Sequence, residues 1–381
     1  MDLLVPTGVC ELTPAHIRAI APYPPGKPIS ELAREMNLNE SDIVKLASNE
    51  NPLGASPRAL AAMENMFMEI ARYPDGNGYA LKSALSAHLG VALNQIVLGN
   101  GSNDVLELVA RAFLTAQTSA VYAQHAFAVY PLVTLATGAR GIEAPARDFG
   151  HDPKALLEAI DNDTRVLFIA NPNNPTGTLI EPDELLALIE RVPESVIVVL
   201  DEAYTEYLPE TLRSDSMNWQ KRFPNLIVTR TFSKAYGLAG LRVGYAVTSA
   251  QVADMLNRVR QPFNVNSLAQ AAAIAALQDE AFLAECQKIN RKGMEQITDG
   301  LKRLNLSYIP SYGNFVTFRI PPTPSGDKGN ATAMYQSLLR KGVIVRPVGN
   351  YGMSEHLRVS IGLEEENRIF LQALENAIQE Q

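Results

Sequence analysis

Between about Ile96 and Val247 the chain alternates short β-branched apolar runs with turns and helix-patterned stretches, and this alternation restricts it to a sheet covered on both faces. The runs Ile96-Val-Leu, Val166-Leu-Phe-Ile, Val196-Ile-Val-Val-Leu200 and Leu226-Ile-Val-Thr are apolar at successive positions. Such runs read as buried parallel strands of an α/β sheet. After the first run, Val105, Leu106, Leu108, Val109, Ala112 and Phe113 recur at spacings of three and four behind polar Ser102-Asn-Asp104. That spacing predicts a helix capped by Ser102 or Asn103.

A chain of 381 residues exceeds the size at which single cores usually stop growing, so a large domain with a smaller partner is expected. Residues 1–46 read as an N-terminal arm and part of the small domain, 47–265 as the large domain and 266–381 as a small C-terminal α+β domain. In the first of these, Ala21-Pro-Tyr-Pro-Pro-Gly-Lys-Pro28 argues for extended chain more than helix. Beyond Pro262 the text turns Ala-rich and helical from Leu268 to Leu277. It then becomes mixed, with strand-like Asn314-Phe-Val-Thr-Phe and His356-Leu-Arg-Val-Ser.

Composition narrows function by exclusion. Lys and Arg total 33 against 41 Asp and Glu, a net charge of −8 and the wrong sign for a surface that grips nucleic acid. The opening residues lack a basic stretch followed by an apolar core, and no run of about eighteen apolar residues occurs. A cytoplasmic protein without membrane partners is expected. Cys10 and Cys286 are far apart, with no CxxC or Cys/His cluster, so neither a disulfide framework nor a metal site is indicated.

Five segments carry candidate chemistry. Gly99-Asn-Gly-Ser-Asn-Asp104 lies between a strand and a helix, where unpaired N–H groups and the helix dipole favour a phosphate. Asn171-Pro-Asn-Asn-Pro-Thr-Gly177 follows a strand and holds more amides than a turn requires. Val199-Leu-Asp-Glu-Ala-Tyr204 places Asp201 where a buried strand ends, the edge at which ligands of open α/β sheets sit. Thr229-Arg-Thr-Phe-Ser-Lys-Ala-Tyr-Gly-Leu-Ala-Gly-Leu-Arg-Val-Gly244 sets Lys234 in an apolar stretch with Thr231, Ser233 and Arg242 around it. A poorly hydrated lysine becomes a usable amine nucleophile. His356-Leu-Arg-Val-Ser-Ile-Gly362 puts Arg358 in a strand-like run. Taken singly, each has a bland reading as a connector, a cap, a surface lysine or a solvent-facing arginine.

Together these groups meet the needs of pyridoxal phosphate: a carboxylate for its ring nitrogen, a lysine for its aldehyde and donors for its phosphate. Asp201 suits the first and Lys234 the second. Ser102, Asn103, Thr231, Ser233 and Arg242 suit the third, while Asn174 and Tyr204 can hydrogen-bond the ring's phenolic oxygen.

At this point the sequence resembles the fold-type-I pyridoxal-phosphate aminotransferases over nearly its whole length, and within them the histidinol-phosphate aminotransferases. The resemblance rests on Ser48-Asn-Glu-Asn-Pro52, Arg72-Tyr-Pro-Asp75, Gly101-Ser-Asn-Asp104, Asn171 to Gly177, Asp201-Glu-Ala-Tyr204, Thr231 to Gly244 and Leu357-Arg-Val-Ser360, in the family's order. It implies a large domain with a mostly parallel central sheet flanked by helices, and a smaller α+β domain. It also implies that Lys234 attaches the cofactor, Asp201 pairs with the pyridine ring, Asn174 and Tyr204 hold its phenolic oxygen, and Phe127 stacks on it. The family often has Tyr at that stacking position, so a hydroxyl contact is lost there. Arg358, Arg346, Asn49 and Tyr23 are implied to bind substrate, and Tyr73 to reach the cofactor phosphate of a second subunit, making a homodimer with shared sites. The implied reaction moves an amino group between histidinol phosphate and 2-oxoglutarate in histidine biosynthesis. The alternatives are an aromatic or broad-range aminotransferase, a phosphothreonine decarboxylase and a non-catalytic cofactor-binding regulator.

Overall fold

The computed structural model describes residues 8–322 and 329–380. Its centre is a seven-stranded sheet made of Ile96–Gly99 (β1), Ser119–Ala123 (β2), Arg140–Ala144 (β3), Thr164–Ala170 (β4), Ile197–Asp201 (β5), Leu226–Thr231 (β6) and Gly244–Val247 (β7). The strand order is β1-β7-β6-β5-β4-β2-β3. The block from β3 to β6 is parallel, and β7 runs antiparallel to both β6 and β1. The run at Ile96 therefore has only an antiparallel partner, which corrects its reading as a member of a parallel pair. Two antiparallel steps nevertheless bring β1 back to the direction of β6. Gly99, Gly244 and Thr231 then lie in register at one edge, beside the end of β5 at Asp201.

Both faces of this sheet are dry at its centre. Val166, Leu167, Phe168 and Ile169 of β4, and Val198, Val199 and Leu200 of β5, are fully buried, as successive apolar residues in a helix-covered sheet should be. Helix Ser102–Phe113 buries Val105, Leu106, Leu108, Val109 and Ala110 against it. Its cap is Gly101 at φ 84, and Ser102 is already its first helical residue. A side chain on Gly101 would collide with the Arg242 guanidinium, so glycine is required for that close approach as well as for the positive φ.

The Ala-rich helix Ser267–Leu277 does not open the smaller domain as the sequence led us to expect. Ala269, Ala272, Ala273 and Ala276 pack with Leu81, Leu85, Ile96, Leu98, Phe232 and Val247, a cluster on the β1/β7 side of the large sheet. Its small side chains permit tight stacking there, so the break at 265/266 cuts through one core. The change of neighbours occurs along the 24-residue helix Glu280–Arg303, whose later residues Ile297 and Leu301 join a second core with Val316, Phe318, Leu338, Val359, Phe370 and Leu374. That second core covers a four-stranded antiparallel sheet of Tyr308–Ile309 (β8), Phe315–Arg319 (β9), Arg346–Pro347 (β10) and His356–Ser360 (β11), ordered β10-β11-β9-β8.

The N-terminal stretch contributes to this second region. Residues 20–28 carry no helix or strand, but Ile29–Met36 forms a helix directly behind Pro28. Proline just before the first turn costs no internal hydrogen bond. Leu32 and Ala33 bury against Ile43, Leu339 and Ile344, and Val44–Lys45 pairs in parallel with Val343–Ile344. Among the described residues no helix is long and apolar enough to cross a membrane, and no group of His, Cys, Asp and Glu is placed to hold a metal ion.

Candidate active site

A cavity of about 260 Å³ opens at the edge where β1, β4, β5 and β6 end, closed on its other side by β10, β11 and the loop at Ser48. Ser102, Asn103, Phe127, Asn174, Asp201, Tyr204, Thr231, Ser233, Lys234, Arg242, Tyr23, Asn49, Arg346 and Arg358 all line it. They come from segments as far apart as residues 23 and 358, and the strand order is what gathers them. Tyr73 is not among the lining residues. It is 83% exposed and stacks on Phe263 with ring centroids 4.7 Å apart.

Asp201 lies on the floor, fully enclosed. Burial pushes its carboxyl above the ordinary range, and two hydroxyls oppose that shift. Tyr130 donates to Oδ2 at 2.9 Å and Thr229 to Oδ1 at 3.1 Å, leaving each oxygen lone pairs for a further donor. Neither Tyr130 nor Thr229 was singled out in the sequence. Thr229 could have been found from strand periodicity, because it shares the face of Thr231 two residues on. Tyr130 had no local signal: it is set by a fully buried ring stacked on Phe168 at 4.8 Å.

Loss of one hydrogen bond to an ionised group is worth roughly 1.5–3 kcal/mol, or about one to two pKa units. Tyr130→Phe should therefore raise the Asp201 pKa, because its hydroxyl favours the charged form. The acid limb of the activity profile is expected to move up by roughly one unit, and an unmoved limb in a folded variant would show that Tyr130 leaves Asp201 alone.

Lys234 is half-buried on the cavity wall, with Nζ donating to the Ser48 carbonyl at 3.1 Å and lying 5.9 Å from the Tyr204 ring centroid. Burial first, and then the nearby Arg358 charge, lower its pKa to about 8, which makes the free amine accessible near neutrality. Tyr204 is pushed up to about 12 by burial, so its hydroxyl stays protonated and accepts from Asn49 Nδ2 at 2.9 Å.

Two side chains on the wall sit on left-handed backbone, Asn49 at φ 54 and Arg242 at φ 57. Asparagine adopts this readily, whereas for arginine it costs on the order of 1 kcal/mol. The conformation directs Arg242 back over the start of helix Ser102–Phe113, where Nη1 donates to the Ala239 carbonyl at 3.1 Å and the Ser233 hydroxyl at 3.4 Å. A guanidinium, the hydroxyls of Ser102, Thr231 and Ser233 and helix N–H groups converging in this way form an anion cradle.

A second anion-binding pair lies on the other side. Arg358 donates to Asn174 Oδ1 and to the Ala47 carbonyl, while its buried Nε has no partner among the described residues. Arg346 donates to the Pro24 carbonyl at 2.7 Å, with its guanidinium 5.4 Å from the Tyr23 ring centroid. A buried donor without an acceptor is costly unless a ligand supplies one. The wall thus pairs an enclosed carboxylate and a depressed-pKa lysine with two separate anion sites, a donor set that fits a phosphate-bearing aldehyde cofactor and an anionic substrate.

The model for aminotransferase class I and II matches residues 41–374. The chain belongs to that family. Among its relatives, histidinol-phosphate aminotransferase 2 of Nitrosospira multiformis is 59% identical over 97% of this chain and 93% of that protein. Histidinol-phosphate aminotransferase of Methylobacillus flagellatus is 60% identical over 98% and 99%. Among solved structures, histidinol-phosphate aminotransferase from Sinorhizobium meliloti in complex with pyridoxal-5'-phosphate superposes with a TM-score of 0.86 at 27% identity, covering 96% of this chain and 97% of that one. The chain is therefore an aminotransferase with the fold-type-I architecture, a mostly parallel central sheet flanked by helices.

Proposed function

We propose that this aminotransferase uses pyridoxal phosphate to move an amino group between L-histidinol phosphate and 2-oxoglutarate, in histidine biosynthesis. Near-60% identity to two relatives of that name over almost the whole chain supports the donor. The observation that carries the reading is the convergence of Lys234, Asp201 and two independent anion sites on one cavity wall.

When bound, pyridoxal phosphate supplies an aldehyde that takes up an amino group and a protonated ring that draws electrons from the neighbouring carbon. In this reading Asp201 keeps the ring nitrogen protonated, and its own ionisation is aided by Tyr130 and Thr229. Asn174 and Tyr204 hold the phenolic oxygen. Phe127 supports the ring face, while Ser102, Asn103, Thr231, Ser233 and Arg242 hold the phosphate. Lys234 attaches the cofactor, yields its place to the incoming amine and then carries a proton between substrate and cofactor carbons, a task suited to an amine with pKa about 8. Arg358 and Arg346 bind the substrate's phosphate or carboxylate, for which planar guanidinium donors suit both. Asn49 and Tyr23 complete the substrate side.

Two substrates using one site in turn must give parallel lines in double-reciprocal plots of rate against either substrate. Intersecting lines with histidinol phosphate and 2-oxoglutarate would contradict the reading. A cytoplasmic homodimer is part of the proposal. Tyr73, Met68, Ile70 and Phe67 are all more than half exposed, an apolar face that a second copy would cover while delivering Tyr73 to the partner's phosphate site. Full activity in a chain that sediments as a monomer would rule that out.

A further inference from the structure

The cavity wall carries four cations, Lys234, Arg242, Arg346 and Arg358, and two carboxylates, Asp201 and Glu50. Asp201 is committed on the floor between its two hydroxyl donors. Glu50 stands at the mouth with its side chain 46% exposed, and Lys45 Nζ lies 3.0 Å from both of its oxygens. The loop that presents it is fixed on all sides. Asn314 Nδ2 donates to the carbonyls of Asn49 and Glu50, the Asn49 N–H donates to the Ser360 hydroxyl at 2.8 Å, and the preceding Ser48 carbonyl receives Lys234. Glu50 is therefore a positioned carboxylate near the reacting amine, and its charge opposes the lowering of the Lys234 pKa.

For a pocket that served only anionic substrates, a carboxylate at the mouth would be a handicap, because like charges in a partly desolvated cleft repel. A donor with a phosphate at one end and an imidazole at the other gives it a use. The ring carries an N–H donor, and with a pKa of about 6.5 part of the population is cationic near neutrality. We propose that Glu50 is a specificity-determining residue that accepts a hydrogen bond from the imidazole N–H of the amino donor, while Arg346 and Arg358 take its phosphate. The proposal rests on the histidinol-phosphate reading. Lys45 leaves the carboxylate able to accept a further bond, since two ionised oxygens offer about four lone-pair sites.

The test uses the cofactor-loaded enzyme and two donors, histidinol phosphate and phenylalaninol phosphate, which keeps the amine and phosphate but replaces the ring by phenyl. Single-turnover rates are compared for wild type and Glu50→Gln, with bound-cofactor absorbance as the check on folding. Wild type is expected to prefer histidinol phosphate. In Glu50→Gln that preference should fall by about tenfold, the loss of a charge-assisted hydrogen bond. The fall should be largest below about pH 6.5, where the ring is charged. Equal slowing of both donors would overturn the proposal and make Glu50 a group that serves Lys234 or the loop, and an unchanged preference would overturn it as well. A wild-type enzyme that converts neither phosphate donor would instead overturn the donor assignment itself.

Discussion

Lys234→Ala is expected to purify as a folded protein that holds no covalently attached cofactor and transaminates on the order of 10⁴-fold more slowly, the upper range for loss of a positioned acid-base group. Among the described residues, Lys234 is the single lysine on the cavity wall. Its side chain hydrogen-bonds the Ser48 carbonyl and forms no ion pair among the described residues, so little of the fold depends on it. The measurement is the absorbance of attached cofactor after gel filtration, alongside turnover. Retained attachment in the variant would point to another lysine and remove Lys234 from the mechanism.

Asp201→Asn should retain cofactor but lose about 10²- to 10³-fold in kcat, the range found when a preorganised electrostatic contact is deleted. An amide cannot hold a ring nitrogen charged. The substitution is nearly isosteric, so the floor keeps its shape, although Tyr130 and Thr229 lose a charged acceptor. Arg358 and Arg346 are untouched, and substrate affinity should change far less than kcat. A KM rise with an unchanged kcat would place Asp201 in binding and contradict its assigned role.

Much of this site is legible in the sequence because the chemistry-bearing residues sit at strand ends, where a run of apolar residues stops abruptly at Asp201, Asn171 or Thr229. The alternation of strand and helix predicts which edge collects them. The antiparallel insertion of Gly244–Val247 was not legible. Its residues read like any short apolar strand, and its direction depends on the long connection through Lys234 and Arg242 that returns Gly244 opposite Thr231. Strands Ser119–Ala123 and Arg140–Ala144 were missed because small and polar residues replace β-branched ones there; pairing of the first with β4, and of the second with the first, decides their state. The Ala-rich helix was given to the wrong core for a related reason: periodicity shows that a helix has an apolar face but not which sheet meets it. Tyr130 and Glu50 illustrate the same limit. One acts through a contact 71 residues away in sequence, and the other draws its meaning from the cations gathered around it.

The measurement that bears most directly on the central claim is the donor half-reaction. Cofactor-loaded enzyme is mixed separately with histidinol phosphate, phenylalanine and O-phosphothreonine, and loss of the absorbance of attached cofactor is followed. Rapid conversion to the amino form of the cofactor by histidinol phosphate, with the other two much slower, is the expected result. Preference for phenylalanine, or carbon dioxide release from O-phosphothreonine, would contradict the proposed donor.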